Sequence, residues 1–99
     1  MAYFVYILRC SDDTYYTGYT GDLLRRYKQH QSGAIPRSYT KSRRPVELVW
    51  VGEFETKEDA RANEKKVKRW NTERKEKQIR EDVEKTAQIF ENEGGENNK

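Results

Sequence analysis

Residues 3–9, Tyr-Phe-Val-Tyr-Ile-Leu-Arg, and residues 14–20, Thr-Tyr-Tyr-Thr-Gly-Tyr-Thr, are two strand-like segments separated by the turn sequence Ser11-Asp12-Asp13. The first is an almost unbroken apolar and aromatic run, which is typical of a central strand. The second is rich in threonine and tyrosine and is typical of the partner strand in a hairpin. Gly18 removes a side chain from that partner strand, which often marks a bulge or a place where another group approaches the backbone.

A helix is expected directly after this hairpin. Asp22 is a good N-cap, and Gly33 suits the left-handed position at a helix end. Arg26 and His30 are spaced i and i+4, so they are neighbours on the edge of the buried face. Tyrosines on a sheet, with an arginine and a histidine one helical turn apart, make sense if these groups converge on a phosphate. The buried face consists of Leu23, Leu24 and Tyr27, whereas Arg25, Lys28 and Gln29 point to solvent.

Four further segments follow this helix. Residues 32–45 carry two prolines and predict a loop, and residues 46–54 predict a third strand. Residues 56–70 predict a second long helix, and residues 72–90 predict a third, each begun by a threonine cap. The third strand is expected to direct Leu48, Trp50 and Gly52 to one side.

The composition fits one domain. Of the 99 residues, 37% are charged and 33% hydrophobic, so the core is expected to be small. Residues 1–85 are assigned to the domain, and the polar residues 86–99 to a flexible tail. The single cysteine, Cys10, cannot form an internal disulfide, which favours a reducing compartment such as the cytoplasm. No apolar run is long enough for a transmembrane helix, so no membrane partner is expected.

Positive charge is concentrated in one block of the sequence. Residues 23–46 contain seven lysines and arginines and no acid, whereas the rest of the chain has a net charge of −4. Such a block is a candidate phosphate-binding surface, and the alternative is a solubilising face. The candidate nucleic-acid-binding residues are Arg25, Lys28, Arg37, Lys41, Arg43 and Arg44.

Glu64 lies on the inward stripe of the second helix, on the same face as Ala60 and Val67. A carboxylate there needs a partner, because burying it unpaired is costly. The spacing leaves three partners open, which are a metal ion, an arginine such as Arg26, and water at the edge of the domain.

The order of these residues resembles the GIY-YIG nuclease domain. Phe4-Val5-Tyr6 is followed by Tyr16-Thr17-Gly18, then by Arg26 and His30, with Glu64 on a later helix. The resemblance covers roughly residues 2 to 80, and it implies an α+β fold with a three-stranded antiparallel sheet flanked by helices, in the order β-β-α-β-α-α. The wider sequence, including Ser38-Tyr39-Thr40 and residues 43–49, resembles the small standalone bacterial members, the UPF0213 (YhbQ-like) family.

The resemblance also implies metal-dependent hydrolysis of nucleic-acid phosphodiesters, with DNA as the expected partner. In that scheme Tyr6 and Tyr16 lie in the site, and one of them orients or deprotonates the attacking water. Arg26 would stabilise charge on the phosphate, and His30 would assist proton transfer or hold the phosphate. Glu64 would hold one divalent ion, Mg²⁺ or Mn²⁺.

Three functions therefore remain open from the sequence. The first is a small endonuclease that acts on DNA with limited sequence preference. The second is a non-catalytic nucleic-acid-binding module on the same scaffold, and the third is a protein-interaction domain that docks through its third helix. A monomer is the default expectation for each.

Overall fold

The computed structural model describes residues 2–95. Strand β1 (Tyr3–Arg9) is central, and β2 (Tyr15–Thr20) and β3 (Glu47–Phe54) pair with it antiparallel in the order β2-β1-β3. Because β1 has a partner on each side and helices on both faces, residues 4–8 are all buried, as their unbroken apolar run predicts. The α+β fold, a three-stranded antiparallel sheet flanked by helices in the order β-β-α-β-α-α, is confirmed.

Four helices surround this sheet, namely α1 (Leu23–Ser32), α2 (Lys57–Arg69), α3 (Thr72–Glu81) and α4 (Val83–Asn92). Asp22 caps α1 by accepting a hydrogen bond from the backbone of Arg25, and Gly33 ends it with a φ of 76°. The cap of α3 differs from the expected Thr72, because Asn71 accepts the bond from the Arg74 backbone N–H. A short 3-10 helix at Lys41–Arg43 precedes β3.

The two faces of the sheet carry separate cores. Phe4, Tyr6 and Leu8 pack with side chains of α1 and α4, whereas Val5 and Ile7 pack with side chains of α2 and α3. Alternation along β1 produces this division, because successive side chains of a strand point to opposite faces. The sheet therefore lies between two helical layers.

The irregular pairing of β3 overturns one expectation about its faces. Ile7 pairs with Trp50 but Leu8 pairs with Leu48, so Val49 is an additional residue in β3. As a result Leu48 packs on the face of Phe4 and Trp50 packs on the face of Val5, although both were expected on one side.

Residues 86–92 were expected to belong to a flexible tail, but they are helical. Residues 83–92 form α4, in which Thr86 and Ile89 are buried. The Thr86 hydroxyl accepts a hydrogen bond from the Val51 backbone N–H, so α4 closes part of the β3 edge. Residues 96–99 lie outside the described part of the chain. Within residues 2–95, no helix is both long and apolar enough to span a membrane.

Candidate active site

Tyr6 crosses the neighbouring strand at Gly18. The two residues are partners in the pairing of β1 with β2, and a Cβ atom on Gly18 would lie 2.6 Å from the Tyr6 hydroxyl. Any side chain at position 18 would displace the phenol. The glycine that interrupts the second strand therefore marks a close approach of another group, as the sequence predicted.

His30 is fixed through both ring nitrogens. Its Nε2 is 3.0 Å from the Tyr6 hydroxyl, and its Nδ1 is 2.7 Å from the hydroxyl of Thr40. The Thr40 hydroxyl is also 2.9 Å from that of Ser38. His30 and Thr40 are almost fully excluded from solvent, so the imidazole is held in one orientation.

A series of aromatic rings leads from this pair to the surface. The Tyr16 ring lies 5.1 Å from the His30 ring, and the Tyr39 ring stacks on Tyr16 at 6.3 Å with planes 19° apart. Tyr39 is 41% exposed, and the Arg43 guanidinium lies 3.8 Å from the centre of its ring. The side chain of Tyr16 thus lies between the buried Tyr6–His30 pair and an exposed aromatic surface.

Arg26 and Glu64 act on Tyr6 from two different helices. Burial raises the pKa of the Tyr6 phenol well above its usual range, and Tyr16 and Glu64 raise it further. The charge of Arg26 and a hydrogen bond from it lower that pKa, but they do not overcome burial. Tyr6 is therefore a protonated phenol at neutral pH, with a cation and a carboxylate close by.

His30 is a neutral imidazole in this setting. Burial, together with the charge of Arg26, lowers the pKa of His30 from 6.5 to about 4. A neutral imidazole carries one N–H and one free lone pair. It can therefore accept a proton at one nitrogen while it releases one at the other.

Glu64 is partly buried, since its side chain is 16% exposed. Its partner is Lys68, one turn later on α2, whose Nζ lies 3.3 Å from the carboxylate and whose side chain is 56% exposed. Among residues 2–95, no group of three or more histidine, cysteine, aspartate or glutamate side chains is placed to hold a metal ion. Glu64 is therefore not part of such a group within the described residues.

A surface groove lies elsewhere on the molecule. It has a volume of about 1000 Å³, and its lining includes Leu24, Leu48, Val83 and Phe90 but neither Tyr6 nor His30. Tyr6 itself is only 2% exposed and lies beside the edge strand β2, and the rings of Tyr16 and the exposed Tyr39 lead from it to the surface.

Comparison with known proteins shows the family of this chain. The family model of the GIY-YIG catalytic domain matches residues 2–78. The chain belongs to the GIY-YIG family. Within it, the chain is similar to a UPF0213 protein of Listeria monocytogenes, with 47% identity over 72 residues that cover 70% of this chain and 79% of the relative. It is also similar to the UPF0213 protein YazA of Bacillus subtilis, with 42% identity over 79 residues that cover 80% and 79% of the two chains.

A solved structure gives the same picture. The solution NMR structure of a UPF0213 protein from Bacillus halodurans is 43% identical, with a TM-score of 0.51, and the match covers 80% of this chain and 83% of that one. The sequence resemblance to the GIY-YIG family and to its small bacterial members is therefore confirmed.

The basic residues expected to bind nucleic acid have different local surroundings in this GIY-YIG domain. Arg25 and Lys28 line a surface depression together with Glu93. Arg26 and His30 do not line this depression. Arg43 is paired with Asp12 at 3.1 Å and also donates to the Tyr39 carbonyl oxygen. Arg44 lies against Gly33 and donates to the carbonyl oxygen of Lys41, whereas Arg37 and Lys41 are exposed.

Two features of the site were not found from the sequence. Thr40 and Ser38 were noted only as part of the family resemblance, although they complete the hydrogen bonding of His30. The second is a basic segment at residues 65–77, with seven lysines and arginines and two glutamates. It follows Glu64 directly along α2, and a charge count over shorter windows would have found it.

Proposed function

We propose that this GIY-YIG protein is a divalent-metal-dependent endonuclease that hydrolyses phosphodiester bonds in DNA. The observation that carries the proposal is the buried Tyr6–His30 hydrogen bond, with Arg26 and Glu64 both acting on Tyr6. A phosphate placed beside the Tyr6 hydroxyl would have a cation, a proton-transfer pair and a carboxylate around it. These are the groups that phosphodiester hydrolysis needs.

Arg26 stabilises the negative charge that builds on the phosphate. Its guanidinium is always charged, and its planar donors match the oxygens of a phosphate. The carboxylates of the three ion pairs found in the described residues are bound by Arg9, Arg43 and Lys68, so Arg26 is not committed to any of them. Its charge instead acts on the Tyr6 phenol.

Tyr6 and His30 move the proton of the attacking water. Because the Tyr6 phenol is protonated at neutral pH, it accepts the proton of the water only as it passes its own proton to His30. The charge of Arg26 helps to keep the pKa of His30 low, and a bound phosphate would offset that charge. Substrate binding therefore raises the proton affinity of His30 at the step in which His30 accepts the proton of Tyr6. Tyr16, beside the His30 ring, orients the water or the phosphate.

The residues present fit one Mg²⁺ or Mn²⁺ ion at Glu64. Mg²⁺ in phosphate sites is commonly held by one or two carboxylates, with substrate phosphate and water completing its shell. Glu64 is one carboxylate, and the exposed Lys68 that pairs with it can move away. A bound ion supplies Lewis-acid stabilisation of the phosphate and of the leaving group.

The DNA backbone crosses the β2 edge between two basic regions. The first region contains Arg37 and Lys41, which are exposed in the loop after α1. The second is residues 65–77, in which Lys68 contacts Glu64. Both regions supply phosphate contacts without sequence readout. We place this activity in the cytoplasm, consistent with a free Cys10, and we assign it to a monomer by default.

A non-catalytic nucleic-acid-binding module on the same scaffold is the second candidate. It needs no set of metal ligands, and residues 2–95 contain no group of three or more side chains placed to hold a metal ion. It requires Arg26 and the basic residues but not Glu64, so the two candidates differ in their dependence on that carboxylate.

The test is cleavage of fluorescent branched, flapped and single-stranded DNA with Mg²⁺ or Mn²⁺. We expect Glu64→Gln and Arg26→Ala to lower the rate by about 10²- to 10³-fold, the usual loss when one charge-stabilising group is removed. Glu58→Gln on the same helix and Arg80→Ala on α3 are matched controls at exposed positions. Full activity in Glu64→Gln would reveal a contaminating nuclease, and binding without cleavage by the wild type would establish the second candidate.

A further inference from the structure

A continuous series of hydrogen-bonded groups runs from Tyr6 away from the sheet. It passes from the Tyr6 hydroxyl to His30 Nε2 (3.0 Å), from His30 Nδ1 to Thr40 (2.7 Å), and from Thr40 to Ser38 (2.9 Å). The first three residues are at most 2% exposed, whereas Ser38 is only partly buried. The series therefore connects the candidate active site with the solvent side of the loop after α1.

Two arrangements of the protons satisfy this series. In the first, Tyr6 donates to Nε2, Nδ1–H donates to Thr40, and Thr40 donates to Ser38. In the second, Ser38 donates to Thr40, Thr40 donates to Nδ1, and Nε2–H donates to the oxygen of Tyr6. Every group is neutral in both, because a hydroxyl and a neutral imidazole can each donate and accept at once.

We propose that Thr40 and Ser38 complete a proton relay that starts at Tyr6 and passes through His30, which rests on the proposed nuclease function. The attacking water gives its proton to the Tyr6 oxygen, and the Tyr6 proton moves to Nε2. The Nδ1 proton moves to Thr40, the Thr40 proton to Ser38, and one proton leaves Ser38 for solvent. The same steps in reverse deliver one proton from solvent to the leaving-group oxygen and restore the first arrangement.

The relay avoids a charged imidazole in the site. A histidine that acted alone would hold the proton as imidazolium, buried and beside Arg26. Burial and the charge of Arg26 lower the pKa of His30, so both disfavour the imidazolium. In the relay, Nδ1 releases its proton to Thr40 while Nε2 accepts the proton of Tyr6. The ring therefore stays neutral throughout. Thr40 is thus a positioning residue that exchanges a proton with Nδ1 and holds the ring in place.

The alternative is that Thr40 only packs against His30. Thr40→Val keeps the shape and removes the hydroxyl, whereas Thr40→Ser keeps the hydroxyl and removes a methyl group. Thr17→Val is the matched control, because Thr17 is also buried but its hydroxyl has no hydrogen-bond partner among the described residues. The Thr17 change should leave activity and the His30 signals unaltered.

Two measurements distinguish a proton relay through Thr40 from simple packing of Thr40 against His30. The first is the ¹⁵N spectrum of the His30 ring, for which we expect Thr40→Val to shift the tautomer toward Nε2–H while Thr40→Ser stays close to wild type. The second is the single-turnover cleavage rate in mixtures of H₂O and D₂O. We expect Thr40→Val to lower the rate by about 10²-fold, a typical general acid–base contribution, and to remove the multi-proton curvature. Ser38→Ala should fall between Thr40→Val and the wild type.

Equal losses in Thr40→Val and Thr40→Ser, or an unchanged His30 spectrum in Thr40→Val, would overturn the relay. A wild-type protein that cleaves no DNA, but whose His30 spectrum responds as stated, would instead overturn the nuclease proposal and leave the coupling of Thr40 to His30 standing. The two proposals therefore fail in different measurements.

Discussion

At the scale of single residues, His30 links the site to the stability of the fold. It is 1% exposed, and its pKa is lowered from 6.5 to about 4. The unfolded chain takes up a proton at this residue below pH 6.5, but the folded chain does so only near pH 4. The free energy of unfolding therefore falls as the pH decreases through this window, and it is fully retained above pH 6.5.

We predict that urea unfolding of the wild type will show this loss of stability between pH 7 and pH 5, and that His30→Gln will show a smaller loss. The pKa values of Asp12 and Asp82 are lowered from 3.8 by hydrogen bonds, from Thr14 and from Gln78 respectively, so these carboxylates titrate below the chosen range. Equal decreases in both proteins would show that His30 is not the responsible group.

The residue scale also shows what the sequence can reveal. Gly18 was identified as a place of close approach because a glycine inside a strand is a local signal. Tyr6, Arg26 and His30 were grouped by their spacing on one strand and one helix. Thr40 had no such signal, because its role depends on a contact with His30, ten positions earlier, across the end of α1 and the loop that follows. A long-range hydrogen bond of this kind has no periodicity to detect.

At the scale of elements, α4 was the largest departure from the sequence analysis. Residues 72–90 were expected to form a single helix, but the helix breaks at Asp82, between α3 and α4. The Asp82 carboxylate accepts hydrogen bonds from the indole N–H of Trp50 and from the amide of Gln78. The contact with Trp50, which is 32 positions away, anchors the break on β3. The sequence of residues 72–92 alone cannot show this partner.

We predict that α4 contributes to the stability of the domain. Ile89→Ala should lower the free energy of unfolding by about 2–5 kcal/mol, because Ile89 is buried against the layer of Phe4 and Tyr6 and its loss leaves a cavity. Val83→Ala, at a position that is 56% exposed, should change it by less than about 0.5 kcal/mol. Urea denaturation measures both values, and equal effects would contradict the role of α4 as part of the core.

At the scale of the whole molecule, a net charge of +3 hides two concentrations of positive charge. Residues 23–46 have a net charge of +7 and residues 65–77 have +5, so the remainder of the chain has −9. The structure pairs part of the first block internally, through Arg43 with Asp12. The second block lies on α2 and α3, and it begins next to Glu64. We therefore expect the second block to contribute more phosphate contacts than the sequence analysis assigned to it.

The salt dependence of DNA binding tests this expectation. Lys65, Lys66 and Arg69 are exposed on α2, and each phosphate contact contributes about 0.9 to the slope of log affinity against log salt. The triple change to glutamine should reduce that slope by about 2 to 3. A triple change of Lys57, Arg80 and Lys85 to glutamine alters the net charge equally at exposed positions outside both blocks, and it should leave the slope almost unchanged. Equal reductions in the two proteins would mean that DNA responds to net charge alone, whereas a reduction confined to the first would place the backbone along α2 beside Glu64.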